Sequence, residues 1–257
     1  NGIVLDSNYS SKLYLAQKKD SVWLLSKTLS DTGYVQKSIA NASFNKAKTE
    51  VYFSLCGQFS TCQIYTAKWK DGILSDFKKL PESINAEESS STHPNLVEIN
   101  NKIYLIFSSN RNGGKGGMDL WVSEYQKDWS SPKNLGKLIN SPGNEVTPFF
   151  DEALNELYFS SDWHYNLGGF DVFKSKGSFP TSWSGPNNLG LPYNSSFNDL
   201  YYSQKDTLNG FITSSREGSI TEKDAVCCND IFEFNKIVEI PKIAIEDTVK
   251  ADSVPNN

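Results

Sequence analysis

The 257-residue sequence has little of the residues that usually carry chemistry: two histidines, one methionine and four cysteines. His93 and His164 are far apart and show no His-x-x-x-His or related ligand spacing. The cysteines, Cys56, Cys62, Cys227 and Cys228, form no Cys-x-x-Cys pairs, which excludes a four-cysteine zinc site. No long apolar run occurs, so no transmembrane segment is expected. Basic blocks are missing and the net charge is −5, so no nucleic acid partner is expected. The sequence begins at Asn1, and its one methionine is Met118, which reads as a processed form or a fragment.

A phosphate loop is also missing, although one stretch imitates it. "SSNRNGGKGGMDLW" (108–121) gathers four glycines around Lys115. A P-loop lysine is followed by Ser or Thr, whose hydroxyl holds magnesium, and here Gly116 follows. A dinucleotide fingerprint leads into a helix, whereas Met118–Val122 reads as a strand. No cofactor is therefore expected. The stretch also has a sibling, "SSDWHYNLGGFDVF" (160–173), with the same frame. Glycine that recurs at a fixed period serves a scaffold.

Aromatics are plentiful at 13%, and the chain repeats. "WSSPKNLGKLINSPGNEV" (129–146) aligns without a gap on "WSGPNNLGLPYNSSFNDL" (183–200). A weaker copy lies upstream, where Leu80, Ile84, Asn85 and Thr92 precede Leu135, Ile139, Asn140 and Thr147 by a constant offset. Strands follow the same period. "VYFSL" (51–55), "IYLIFSS" (103–109), "LYFSS" (157–161) and "GFITSS" (210–215) are one recurring strand. "QIYTA" (63–67), "DLWVS" (119–123), "DVFKS" (171–175) and "DIFEF" (230–234) are the next. "KLYLAQ" (12–17) and "VWLLSK" (22–27) form a first pair.

Short alternating strands punctuated by glycine and proline at this period predict an all-β β-propeller. The count predicts five blades of four antiparallel strands over 1–240, divided at 1–43, 44–91, 92–146, 147–199 and 200–240. "GIVL" or "KIVEI" would close the ring. Residues 241–257 read as a linker or flexible tail. The glycine-rich stretch becomes the loop between the second and third strands of a blade. Asp119, Asp171 and Asp230 either cap loop amides or sit where loops meet a partner. "DSNYS" (6–10) lacks the Gly and Glu of a calcium loop and reads as a turn.

No catalytic residues stand out. Glu145, Asp151 and Asp199 are carboxylates near expected inner strands, but Glu145 and Asp199 occupy the same repeat position. A glycosidase needs an acid and a base in unlike environments, so the repetition points to structure. The chain is expected not to be an enzyme. "LCGQFSTCQ" puts Cys56 and Cys62 on either side of a short loop, so a disulfide is the expected pairing in an oxidising compartment. Adjacent Cys227 and Cys228 would be strained as a pair.

The run "LYFSS…GGFDVF…W…P.NLG…N…NE.TPFF", together with "CCNDIF", resembles the TolB-like propeller repeat of Bacteroidetes OmpA-family envelope proteins, of which PorE-like type IX secretion proteins are one type. The resemblance covers about residues 44–235. It implies a periplasmic, outer-membrane-associated, non-catalytic scaffold. Its partners would be envelope proteins: secretion components or outer-membrane lipoproteins. Peptidoglycan would be reached only through a domain that this sequence does not contain. Partner-binding loops are expected at Arg111, Lys115, Trp163, His164, Tyr165 and Arg216. The resemblance also implies O-glycosylation of Asp-Ser/Thr-apolar sites, here Thr248 and Ser253. The alternative is a carbohydrate-binding or glycoside-hydrolase-like five-bladed propeller, with Trp163, His164 and Tyr165 at a channel mouth.

Overall fold

The computed structural model describes residues 11–20, 22–28, 38–57, 61–206, 208–219 and 229–235. Every regular element among them is a β-strand. A ribbon comes first, β1 (Tyr14–Lys19) and β2 (Val22–Thr28). The first blade holds β3 (Ser38–Phe44), β4 (Glu50–Cys56), β5 (Cys62–Lys70) and β6 (Ile73–Lys79). The second holds β7 (Ser91–Ile99), β8 (Lys102–Ser109), β9 (Asp119–Tyr125) and β10 (Lys133–Asn134). The third holds β11 (Glu145–Asp151), β12 (Glu156–Ser161) and β13 (Asp171–Ser178), with short strands β14 (Ser182–Trp183) and β15 (Asn187–Asn188) both on β13. The fourth holds β16 (Asp199–Gln204), β17 (Asn209–Ser214) and β18 (Asp230–Asn235). All pairings are antiparallel between successive strands, apart from the shared edge of β13.

Among the described residues there are four blades, not the expected five, and the first unit shows a two-stranded ribbon. The division expected at 43/44 also moves. "SIANASF" is the inner strand of the first blade, pairing with β4. Its small polar residues and its bulge hide it from a search for apolar alternation. The ribbon sits between the last blade and the first. Lys18 pairs with Glu233 of β18 at 2.6 Å, and Trp23 meets Phe211 of β17 edge-on, 5.8 Å between centroids. On the other side Leu13 packs against the first blade's core, and Ile39 N–H donates to Ser11 O. The proposed closing segments, "DSNYS", Cys227, Cys228, Thr248, Ser253 and residues 241–257 lie outside the described residues.

Strand alternation builds the core between blades. Leu105 and Phe107 of β8 face the first blade, meeting Tyr52, Ile64 and Ile84. Tyr104 and Ile106 face the third, meeting Phe150, Leu157 and Phe159. Tyr158 of β12 turns the other way, toward Tyr202 and Ile212. Successive side chains point to opposite faces, so each strand serves two interfaces. Truncating a fully buried phenylalanine such as Phe107 or Phe159 costs about 3–5 kcal/mol in such a core.

The repeat signature is consumed by this frame. Asn85, Asn140 and Asn194 are buried and bracket one residue of the third strand each. Their Oδ1 accepts from the N–H, and their Nδ2 donates to the C=O, of Ile64, Leu120 and Val172. Asn134 and Asn188 donate to Asp119 and Asp171. The glycines after them, Gly136 and Gly190, have φ of +88° and +65°, where a side chain would be strained. Asp119 in turn accepts from Lys115 and Gly116 N–H, and Asp171 from Leu167 and Gly168 N–H. The glycine-rich loops are thus aspartate-capped connections between second and third strands. In the first blade the register pair equivalent to Ser109–Asp119 and Ser161–Asp171 is Cys56–Cys62, joined by a disulfide.

Candidate functional site

Each inner strand carries a bulge at the same place: Ala40/Ser43, Thr92/Asn95, Val146/Phe149 and Leu200/Ser203. The first bulged residue is Asn41, His93, Thr147 or Tyr201, and all four have positive φ, from 51° to 59°. Four non-glycine residues held in the left-handed region mark over-determined backbone, the kind that collects at functional sites. These positions repeat while their residue types do not.

The four residues line one cavity of about 970 Å³ at the end of the channel where first and second strands turn. That volume suits a small ligand or a few sugar units. Tyr201 reaches across the channel and donates to Asn41 Oδ1, while Asn41 Nδ2 donates to Thr92 Oγ1 at 3.1 Å. His93 Nε2 lies 3.2 Å from the Tyr201 oxygen. The tyrosine's one proton is committed to Asn41, so His93 Nε2 carries the hydrogen and donates. His93 Nδ1 is left as a buried acceptor with no partner among the described residues. Burial pulls the His93 imidazole down to about 4, so it is neutral at physiological pH. Burial likewise pushes the Tyr201 phenol up to about 12. Thr147 donates to Ser160 Oγ at 3.0 Å. These four residues are polar and neutral, Phe44 and Phe149 line the walls, and Lys46, Asp151, Glu152, Lys205 and Asp206 line the rest of the cavity.

The carboxylates at this mouth are occupied by backbone. Glu152 accepts from Glu98 N–H and pairs with Lys46. Asp151 accepts from Ala153 and Leu154 N–H, and Asp206 from Leu208 and Asn209 N–H. Asp151 and Asp206 repeat as hairpin caps on the rim, while Glu152 ties its blade to the one before. Glycoside hydrolysis of the usual kind needs an acid and a base facing each other, and Asp151, Glu152 and Asp206 are carboxylates that line this cavity.

The other two carboxylates singled out by sequence lie at the opposite end, fully buried. Glu145 accepts from Ser141 N–H and Oγ and from Ser161 Oγ. Burial holds its carboxyl above the usual range, and the serine hydrogen bonds pull it back. Asp199 accepts from Ser195 N–H and Oγ and pairs with Arg216 at 2.6 Å.

Three of the six loop residues expected to meet partners are engaged inside the fold. Arg111 donates to the carbonyls of Ser83 and Ile84, and Arg216 to those of Pro192 and Tyr193. His164 Nε2 takes the matching role in the third blade, 2.9 Å from Ile139 O and 3.9 Å from Glu145. Lys115, Trp163 and Tyr165 are exposed on these loops. The aromatic residues expected at the channel mouth therefore lie at the end away from the cavity. Of the residues that line it, the sequence reading names His93, Asp151 and, as a repeat position, Thr147, whereas Asn41 and Tyr201 escape it. Their only signal is a repeat position whose residue type changes at every blade.

No family model matches the sequence, and no characterised protein matches it by sequence. Similar solved structures do exist. An exo-β-1,3-galactanase from Clostridium thermocellum aligns over 89% of this chain and 54% of its own, with 16% identity and a TM-score of 0.59. A levansucrase variant from B. megaterium aligns over 92% of this chain and 77% of its own, with 14% identity and a TM-score of 0.55. The chain has a β-propeller fold. It spans about half the length of the galactanase. TolB from Acinetobacter baumannii is also similar, at a TM-score of 0.43, which is too low to carry an argument. Of the resemblance seen in sequence, the β-propeller stands. At these identities the likeness is one of fold alone.

Proposed function

We propose that this propeller binds a neutral, hydroxyl-rich ligand of the carbohydrate class at its channel mouth and does not cleave it. The observation that carries the reading is the throat itself: Asn41, His93, Thr147 and Tyr201 converge there as neutral polar groups, inside a rim that carries Lys46, Asp151, Glu152, Lys205 and Asp206. Ligand hydroxyls can exchange with water against these neutral donors and acceptors without burying a further charge. The aromatic wall offers stacking area for a sugar ring. The similar folds include galactanase and levansucrase; binding without cleavage is the reading here because the carboxylates of the mouth, Asp151, Glu152 and Asp206, accept from backbone N–H groups. The sequence resemblance adds a periplasmic setting with envelope-protein partners to the proposal. The Cys56–Cys62 disulfide supports an oxidising compartment.

The test is a titration of neutral oligosaccharides followed by NMR, with product analysis on the same samples. Binding that shifts the His93 ring signals and leaves the sugar intact is expected. Release of reducing ends, or no shift with any neutral glycan, overturns the reading.

A further inference from the structure

The cavity at the hairpin end is blind. Tyr201 of the fourth blade donates to Asn41 of the first and accepts from His93 of the second, and its N–H meets Thr147 of the third at 3.4 Å. Asn41 in turn donates to Thr92. One tie therefore spans the four blades across the channel. Directly beneath it, Ser54 bonds Thr92 and accepts from His93 N–H, and Ser160 accepts from Thr147. Ser54, Thr92 and Ser160 are buried, and so are Glu145 and Asp199 at the far end. Among the described residues the channel is closed below the tie.

The cavity is also deep. Strand residues 41–44, 147–151 and 201–204 run from this floor up to the hairpins. At about 3.3 Å per residue, the rim stands roughly 10 Å above the floor. Lys46, Glu152 and Asp206 on the rim line the same cavity as Asn41, Thr147 and Tyr201 on the floor. The rim is itself held in place. Lys46 N–H donates to the Glu98 carboxylate, Glu98 N–H donates to Glu152, and Lys46 pairs with Glu152. These bonds lace the hairpins of three blades into a collar. A sugar chain lying across the mouth rests on that collar, out of reach of the floor, because hydrogen bonds require about 3 Å between donor and acceptor. Only a free end descends far enough.

We infer that the cavity takes its glycan end-on, seating a terminal sugar on Asn41, His93 and Tyr201. The inference rests on the carbohydrate reading above and adds to it which part of the glycan is recognised. The same geometry shuts out internal stretches of a polymer and rings that have no end.

The test is calorimetric titration of the whole chain with short linear malto-, cello- and laminari-oligosaccharides. Each is run beside the same oligosaccharide capped at both ends with a bulky polar group, and the malto series also beside a cyclodextrin. The linear form of the preferred series is expected to bind, with the capped or cyclic form weaker by about tenfold or more. Tyr201→Phe should weaken the linear form. On a long polymer of the same series, the protein bound should follow the number of chain ends and not the length. Capped or cyclic forms that bind as well as linear ones, or binding in proportion to polymer length, overturn the inference and leave the carbohydrate reading standing. Linear binding indifferent to Tyr201→Phe also overturns it, because the end is then not seated on the floor. If no linear form binds, the carbohydrate reading fails and the inference fails with it.

Discussion

The two ends of this propeller are built by opposite uses of the same repeat. At the loop end the blades reuse residue types: Asp119 and Asp171 cap glycine loops, Asn134 and Asn188 hold those aspartates, and Arg111 and Arg216 clamp carbonyls. At the hairpin end the equivalent positions are Asn41, His93, Thr147 and Tyr201, four different side chains on one repeated bulge. Repetition marks what every blade needs to stand. Variation at a repeated position marks what only the assembled ring can use.

The comparison is broken most severely by removing a repeated carboxylate. Asp199→Ala leaves Arg216 beside Ser214 without its ion-pair partner in a buried site. A loss of about 3–5 kcal/mol is expected in urea unfolding, as for a buried pair deprived of one member. If the variant still folds, glycan binding at the far end should be unchanged.

The ring itself should show in the pH dependence of stability. His93 titrates near 4 when folded and near its ordinary 6.5 when unfolded. Between those values the unfolded chain holds the proton and the folded chain does not. Its contribution is present above 6.5 and is lost as the pH falls toward 4, by up to about 3 kcal/mol. His93→Asn, a residue that tolerates positive φ, should flatten that limb of the curve. An unchanged slope in the variant would remove His93 as its source.

A smaller effect sharpens the loop end. The Cys56–Cys62 disulfide stands where other blades place a Ser–Asp register pair. Because it closes a short loop, Cys56→Ser with Cys62→Ser should cost about 2 kcal/mol in thermal unfolding. Hydrogen exchange should quicken in β4 and β5 and stay unchanged in the third blade.

The smallest effect falls on the throat. Tyr201→Phe removes one hydroxyl that donates to Asn41, costing about 1 kcal/mol of stability. Binding of a neutral glycan should weaken by more than that loss suggests, because Asn41 and His93 both lose their shared partner.

The frame was legible in the sequence because its residues recur. The alignment of Trp129 with Trp183, and of Asn140 with Asn194, located strands and loops that the structure keeps. The first blade was divided wrongly because β3 is short on apolar residues, and its bulge breaks alternation at Asn41. A ribbon of two strands likewise looked like a full blade, since Lys12–Gln17 and Val22–Lys27 alternate as well as any true pair. The throat was hidden for a different reason. Positive φ is sought at glycine, and here Asn, His, Thr and Tyr adopt it, held there by hydrogen bonds from the neighbouring blade such as His93 N–H to Ser54 Oγ.

The decisive measurement is one binding isotherm for a neutral oligosaccharide on three proteins: the native chain, Tyr201→Phe, and Trp163→Ser with Tyr165→Ser. If the channel throat is the glycan site, affinity falls in Tyr201→Phe alone. If affinity falls in the loop variant and stays intact in Tyr201→Phe, the sugar binds at the loop end and the throat is structural.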